Sequence, residues 1–371
     1  MSDRFNIIMK YLNNNENKFS IYGFGNIAKL FINNINKDII ITNIYDSNIS
    51  GNFNNINVKK FDIKDSNTIL VATGASSYSE ISEYLKNFGL IENKDFFDIK
   101  EYMPLYYFKY YKKIIVPEVH IALTTRCTLN CKNCNMFIPS YNKKEDEKLD
   151  DIIKNIDDMF QNIDKIFRLT LLGGEPFLFK DIDKVILHIM KLYSNNIGEL
   201  EIVTNGTIIP NNSILEEMKR YNVKVSISDY TSAVNYTSKM KLFEEKLIEY
   251  GIEYQIKKSL KWVDFLFPYS KFNIDAKDVM NHMLNCSPIF KGVNDSKLYY
   301  CHIVWSAVKS GLIKENNNDF IDLSKKLNDN EKLNLLKFSL GMIENKYISL
   351  CGLCAGCGSD NNNVIDVGIQ I

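Results

Sequence analysis

The sequence lacks any long apolar run: nothing in its 371 residues approaches the roughly 20 consecutive apolar positions that a bilayer span requires. It also lacks a charge imbalance, with Lys+Arg and Asp+Glu both at 45, so bulk charge supports neither a nucleic-acid nor an anionic-membrane partner. The first residues, Met1-Ser2-Asp3-Arg4-Phe5, do not have the layout of a secretory signal, and a cytoplasmic location is expected. Histidine is scarce: His120, His188, His282 and His302 stand in no motif and are expected in core or surface roles. Trp262 and Trp305 read as packing residues. The most informative absence is local. Eight cysteines are present, yet residues 1–126 contain none. In a cytoplasmic chain, cysteines grouped in this way are more often ligands or catalysts than disulfides.

What is present begins at Thr125-Arg126-Cys127-Thr128-Leu129-Asn130-Cys131-Lys132-Asn133-Cys134, three thiols in eight residues spaced C-x3-C-x2-C after the apolar run Val119–Leu123. Three ligands are one fewer than a closed tetrahedral zinc site or a fully ligated iron–sulfur cubane requires. The trio can bind three irons of a [4Fe–4S] cluster and leave the fourth open, or act as a zinc knuckle with a remote fourth ligand, or be three buried thiols. The other five cysteines, Cys286, Cys301, Cys351, Cys354 and Cys357, lie far downstream.

A chain of this length exceeds one typical core, so two or three domains are expected. Residues 1–18 read as a short polar helix ending in the tract Asn13–Asn17, which, with similar tracts at 33–36, 52–55, 316–318 and 361–363, reads as solvated loop. Strand-like Phe19–Tyr22 runs into Gly23-Phe24-Gly25-Asn26-Ile27-Ala28, a G-x-G-x-x-A pattern. A second strand, Ile39–Tyr45, ends in Asp46, where a ribose-binding acid would sit, and a third, Thr68–Ala72, precedes a helix at Tyr78–Phe88. The alternation predicts a small Rossmann-like domain over residues 1–100, either holding a nucleotide or nucleotide-sugar or serving as a structural or docking module. Residues 101–116, rich in tyrosine and lysine, are expected as a linker packing its rings on both neighbours rather than stacking on nucleic acid.

From Val119 a second α/β alternation begins, with polar elements placed just after strands, the edge that carries chemistry in α/β barrels. Gly173-Gly174-Glu175-Pro176 follows strand Arg168–Leu172, Thr204-Asn205-Gly206 follows Leu200–Val203, and Ser226-Ile227-Ser228-Asp229 ends Val223–Ser228. Cysteine trio and Gly-Gly-Glu-Pro together resemble the radical S-adenosylmethionine (radical SAM) superfamily, covering about residues 117–260 as a partial (β/α)6 barrel of TIM type. The resemblance implies a [4Fe–4S] cluster on Cys127, Cys131 and Cys134. It also implies S-adenosylmethionine held by Gly173, Gly174, Glu175 and Pro176, with Glu175 and the glycine carbonyls accepting from its ammonium group. Asn205, Ser226 and Ser228 stand where the family commonly contacts ribose and carboxylate, although a turn or helix cap explains each equally well. The family prefers an aromatic residue before the third cysteine, and here Asn133 occupies it.

Residues 261–371 resemble the auxiliary iron–sulfur domains called SPASM and twitch. The resemblance implies one auxiliary [4Fe–4S] cluster on Cys286, Cys301, Cys351 and Cys354, with Ser296 standing where a glycine is usual. Cys357 is left over, as an alternative fourth ligand, a hydrogen-atom donor to a substrate radical, or a spare thiol. The implied fold is α/β throughout, and the implied enzyme cleaves S-adenosylmethionine reductively with electrons from a flavodoxin or ferredoxin. A carbohydrate or nucleotide-sugar is the first expected substrate class and a ribosomal peptide or protein the second. The third expectation is a non-catalytic iron–sulfur scaffold.

Overall fold

The computed structural model describes residues 2–12, 17–64, 67–258, 260–343 and 347–371; residues 13–16 of the first asparagine tract lie outside them. After α1 (Ser2–Tyr11) come β1 (Lys18–Tyr22), β2 (Ile40–Tyr45), β3 (Gly51–Phe53), β4 (Ile56–Lys59), β5 (Thr68–Val71) and β6 (Phe96–Asp98). They form one sheet in the order β3-β4-β2-β1-β5-β6, parallel except for β3. Helices α2 (Asn26–Asn34) and α3 (Ala75–Asn87) follow β1 and β5, and the strand order reverses between those two strands, as in a Rossmann-like sheet.

The interval expected as a linker is mostly helix. α4 (Ile99–Tyr111) starts at Asp98, whose side chain accepts from the Lys100 amide, and buries Tyr102, Met103, Leu105, Tyr106 and Tyr107. Its rings do meet both neighbours: Tyr102 and Tyr106 contact Phe19 at 5.6 and 5.7 Å between centroids, and Tyr107 contacts Phe167 at 6.4 Å.

A second sheet begins with five parallel strands, β7 (Ile115–Ala122), β8 (Lys165–Leu172), β9 (Ile197–Thr204), β10 (Lys224–Asp229) and β11 (Tyr254–Lys258). They alternate with α5 (Leu149–Asn162), α6 (Ile182–Tyr193), α7 (Asn212–Arg220) and α8 (Thr237–Tyr250). All eight residues of β7 are buried, as a parallel strand with neighbours on every side must be. The sheet stays open. After β12 (Lys261–Val263) and α9 (Ala276–Cys286), strand β13 (Phe290–Asn294) adds in parallel to the far edge of β7. Antiparallel β14 (Lys297–Tyr299) and β15 (Phe320–Asp322) then extend the order to β11-β10-β9-β8-β7-β13-β14-β15. The expectation of six barrel strands within 117–260 is therefore corrected: the sixth parallel strand comes from residues 290–294. The chain is completed by α10 (His302–Lys309), α11 (Asp329–Ser339) and β16 (Val364–Asp366), which pairs with β12.

The two sheets meet at the start of the second sheet's strands. Phe31 of α2 lies edge-on to Phe167 at 5.2 Å, and Lys165 Nζ donates to the Asn34 carbonyl at 2.8 Å. Gly198 has no room for a side chain, since a Cβ there would sit 1.7 Å from Asn34 Oδ1. From Phe167 to the end of β8 at Leu172 is about 16 Å along an extended strand. The cysteine loop and the N-terminal unit therefore occupy opposite ends of the same strands. No described helix is long and apolar enough to cross a membrane.

Candidate active site

The cysteine loop leaves β7 and is pinned on both flanks. Leu123 N donates to the Leu172 carbonyl at 2.8 Å, Thr125 N to Glu145 at 2.9 Å, and the Arg126 guanidinium grips Asp146 at 2.9 and 2.7 Å. From the neighbouring strand end, Gly174 N donates to Thr124 O and Glu175 N to Arg126 O, each at 2.8 Å. A Cβ on Gly173 (φ +156°) would stand 2.5 Å from Thr124 O, and one on Gly174 would stand 2.2 Å from Arg126 O. The glycine pair is thus required by the chain's own cysteine loop crossing it, a reason the tetrapeptide does not reveal.

Cys127, Cys131 and Cys134 all line one cavity of about 420 Å³, together with Gly173, Gly174, Asn205 and Ser228. Burial pushes the Cys127 thiol up to about 12 and Cys131 up to about 11, and raises Cys134 as well. Such thiols become thiolates only when a cation replaces their protons. Among the described residues, no three His, Cys, Asp or Glu side chains close on a point as a single metal ion requires. A cluster offers each thiolate its own iron and needs thiols spread round a cavity.

Glu175 is placed differently from expectation. It is fully buried, does not line the cavity, and its oxygens accept from Thr204 Oγ1 at 2.7 Å, Asn205 N at 2.9 Å and Phe177 N at 3.2 Å. Burial raises its carboxyl to about 7 despite those three donors. Its visible work is to hold β9's end under the cysteine loop, while Pro176 opens the short helix Pro176–Leu178. Asn205 continues that linkage: Nδ2 reaches Thr128 Oγ1 at 3.2 Å and Cys127 Sγ at 3.6 Å, while Oδ1 accepts from Thr207 N. Of the two serines, Ser228 reaches the cavity; Ser226 lies one layer deeper, beside Gln255 at 3.4 Å.

Several cavity residues carried no signal in the sequence. His120 and His302 both line it, joined Nδ1 to Nδ1 at 3.2 Å, and His120 Nε2 meets the buried Glu118 carboxylate at 2.7 Å. Burial alone would raise Glu118, but the His120 hydrogen bond and the charges of His120, Arg168 and Lys257 lower it, so it is ionised. Burial, with His120 alongside, holds His302 well below the ordinary histidine value, so its ring is neutral. Either ring can be the donor in the Nδ1–Nδ1 pair, according to its tautomer. Trp262 also lines the wall, edge-on to Tyr230 at 5.2 Å. Asn133, standing in the aromatic position, donates to Asp264 at 3.2 Å and keeps a buried Oδ1 without a partner.

The distal thiols gather at a second place. Cys286 ends α9, Cys301 precedes α10, and Cys351 and Cys354 sit in and just after the turn Ser349–Gly352. Burial raises Cys351 well above the ordinary thiol value, and Cys286, Cys354 and Cys301 add to that shift, which marks the four as neighbours. Cys357 joins them, its Sγ 3.6 Å from that of Cys286 and its amide donating to the same sulfur at 3.4 Å. Ser296 adopts φ +54° beside Asp295 at +55°, so the β13–β14 turn tolerates a serine where glycine is easiest.

Comparison with known proteins gives the same direction. The description Radical SAM superfamily matches residues 121–231. The chain is similar to a probable GTP 3′,8-cyclase of Methanococcus aeolicus, 22% identical over 68% of this chain and 88% of that one. It is also similar to the GTP 3′,8-cyclase of Clostridium botulinum, 32% identical over 30% of this chain, and spans about a third (34%) of that relative's length. The solved structure of BtrN in complex with AdoMet and 2-DOIA aligns over 70% of this chain and 96% of its own, at 13% identity and a TM-score of 0.42. The superfamily implies a [4Fe–4S] cluster and S-adenosylmethionine, and the residues fit both: three thiols round one cavity, an orphaned Asn133 Oδ1, and a glycine pair closed by the loop that carries the thiols. Residues 121–231, which carry the cysteine trio and Gly173–Pro176, thus form a radical SAM domain.

Proposed function

We propose that this enzyme abstracts hydrogen from a hydroxyl-bearing small molecule, a carbohydrate or nucleotide-activated sugar. When bound, the cluster and S-adenosylmethionine would supply the chemistry, a one-electron reductive cleavage that provides a hydrogen-abstracting radical. Cys127, Cys131 and Cys134 would hold the cluster, and Asn133 Oδ1, Asn205 and Ser228 would orient the cofactor's donors and acceptors. Trp262, Val263, Phe265 and Met136 line the cavity with apolar surface that keeps water from a radical. Cys286, Cys301, Cys351 and Cys354 would hold one auxiliary cluster with the Cys357 thiol touching it, and a flavodoxin or ferredoxin would supply electrons.

The observation that carries the substrate reading is the His302 imidazole on the cavity wall. Held neutral by burial, it can exchange a hydrogen bond with a hydroxyl or N–H group. Among the described residues, none of 1–117 lines the cavity, so the N-terminal unit lends this reading only fold-level analogy. Relatives named for acting on GTP place nucleotides among the substrates to try. A peptide substrate has one feature in its favour: Leu260, Val263 and Val364 expose apolar surface on the β12–β16 ribbon at the cavity's rim. Anaerobic reconstitution tests the proposal. About eight irons per chain, reductive formation of 5′-deoxyadenosine, and deuterium transfer into it from a labelled nucleotide-sugar are expected. A fully loaded protein that forms no 5′-deoxyadenosine refutes the enzyme reading. Deuterium transfer only from peptides refutes the sugar.

A further inference from the structure

Residues Gly368–Ile371 lie across the cysteine loop as a short antiparallel strap. Cys131 and Gln370 form a β-bridge, Lys132 N donates to Ile369 O at 2.8 Å, and Ile371 N donates to Asn130 O at 3.1 Å. The strap thus joins the outer flank of the loop to a segment 239 residues further on. One of its side chains reaches a thiol: Gln370 Nε2 lies 3.1 Å from Cys131 Sγ.

The orientation of that amide is fixed by its other partners. Asn130 N, which can only donate, points at Gln370 Oε1 at 2.7 Å, and the Gly368 carbonyl, which can only accept, stands 2.7 Å from Nε2. Flipping the amide would set two donors against each other at Asn130 and two acceptors at Gly368. Nε2 therefore faces the sulfur. Leu129 N and Asn205 Nδ2 reach Cys127 Sγ at 3.4 and 3.6 Å, and the amides of Met136, Phe137 and Ile138 bond to the Cys134 sulfur.

We propose that Gln370 is a positioning residue that tunes the cluster of the Cys127–Cys131–Cys134 trio, its amide donating an N–H···S hydrogen bond to the Cys131 thiolate. An N–H directed at a ligating sulfur stabilises negative charge there. The reduced cluster carries one more negative charge than the oxidised one, so the donor raises the reduction potential and eases delivery of the electron. The inference rests on the radical SAM reading of the trio and adds a contributor outside residues 121–231.

The test is an EPR-monitored redox titration of the reconstituted full chain, following the cluster signal that changes when S-adenosylmethionine is added. That response separates the trio's cluster from an auxiliary one. Gln370→Glu keeps the acceptor for Asn130 N and replaces the donor to sulfur with a carboxylate oxygen, and Gln370→Leu removes both. With iron and sulfide content at the wild-type level, the potential should shift negative in Gln370→Leu and further negative in Gln370→Glu. An exchangeable proton coupled to the reduced cluster, seen by ENDOR in H2O and absent in D2O, should disappear in both variants. Unchanged potentials with the coupled proton retained would overturn the proposal. Loss of the cluster from both variants would also overturn it, because a tuning bond acts on a cluster that stays bound. Wild-type protein without any S-adenosylmethionine-responsive signal would refute the radical SAM reading itself, an outcome distinct from an unaltered potential in the variants.

Discussion

Two glycine-bearing loops sit at carboxyl ends of parallel strands in this molecule, and they have opposite fates. In the N-terminal sheet, Gly23-Phe24-Gly25 is satisfied by its own surroundings. Phe24 N donates to Asp46 at 2.8 Å, and the other carboxylate oxygen of Asp46 accepts from Asn48 N and Ile49 N. The Phe24 ring packs on Phe53 at 5.0 Å. The acid expected to bind a ribose is engaged in holding its own loop. In the second sheet, Gly173-Gly174 is also consumed by the chain, through Thr124 and Arg126, yet this contact leaves a cavity of about 420 Å³ walled by thiols. Glycine at a strand end therefore marks close approach, and the groups left unpaired around it decide whether a ligand has anything to bind.

The comparison can be broken most severely at the trio. Cys127→Ala, Cys131→Ala or Cys134→Ala should each abolish 5′-deoxyadenosine formation and lower iron by about four per chain, measured by chromatography and iron assay. Next comes one substitution made in both loops. Gly174→Ala should cost about 3–5 kcal/mol, because its Cβ would press on backbone rather than a movable side chain, and the loss is read from the denaturant midpoint. Gly25→Ala, whose Cβ would meet nothing within 4 Å, should stay within about 0.5 kcal/mol.

Between these extremes lies Thr204→Val, which removes a donor from buried Glu175 and should cost about 1–3 kcal/mol. Its pH dependence follows from the sign of the shift. Glu175 titrates at about 7 in the fold against 4.5 in the unfolded chain, so its contribution is fully present below 4.5 and is lost as pH rises through 7. Removing a donor raises the folded value further, so urea unfolding should show a larger deficit for the variant at pH 8 than at pH 5. Asp46→Ala, which strips an acceptor from three amides at a loop closer to solvent, should cost about 1 kcal/mol and leave 5′-deoxyadenosine formation unchanged.

What was legible in the sequence was local. The trio, Gly173–Pro176 and the strand–helix alternation are written in neighbouring residues, and the strands expected at Phe19–Tyr22 and Arg168–Leu172 lie within β1 and β8. What was hidden depends on pairings between distant segments. His120 and His302 meet across 182 residues because β13 joins the edge of β7, and nothing near either histidine announces it. Asn294 likewise reaches across to Ala122, donating to its carbonyl at 3.0 Å and accepting from its amide at 3.1 Å. The position of Glu175 was hidden for a related reason: its donors come from the next strand over, so the motif names the carboxylate without saying which way it faces.

The parallel pairing of β13 with β7 has a consequence for electron flow. One strand launches the trio, and its hydrogen-bonded neighbour leads through β14 to Cys301. Tunnelling rates fall steeply with distance, so redox partners on hinged modules flicker between fast and slow transfer. Here the trio's loop leaves β7 and Cys301 follows β14, two strands away in the same sheet, so drawing these two sites apart would mean breaking strand pairs. Charge passing between groups held at these sites would travel a fixed gap, like a soldered junction rather than a swinging contact.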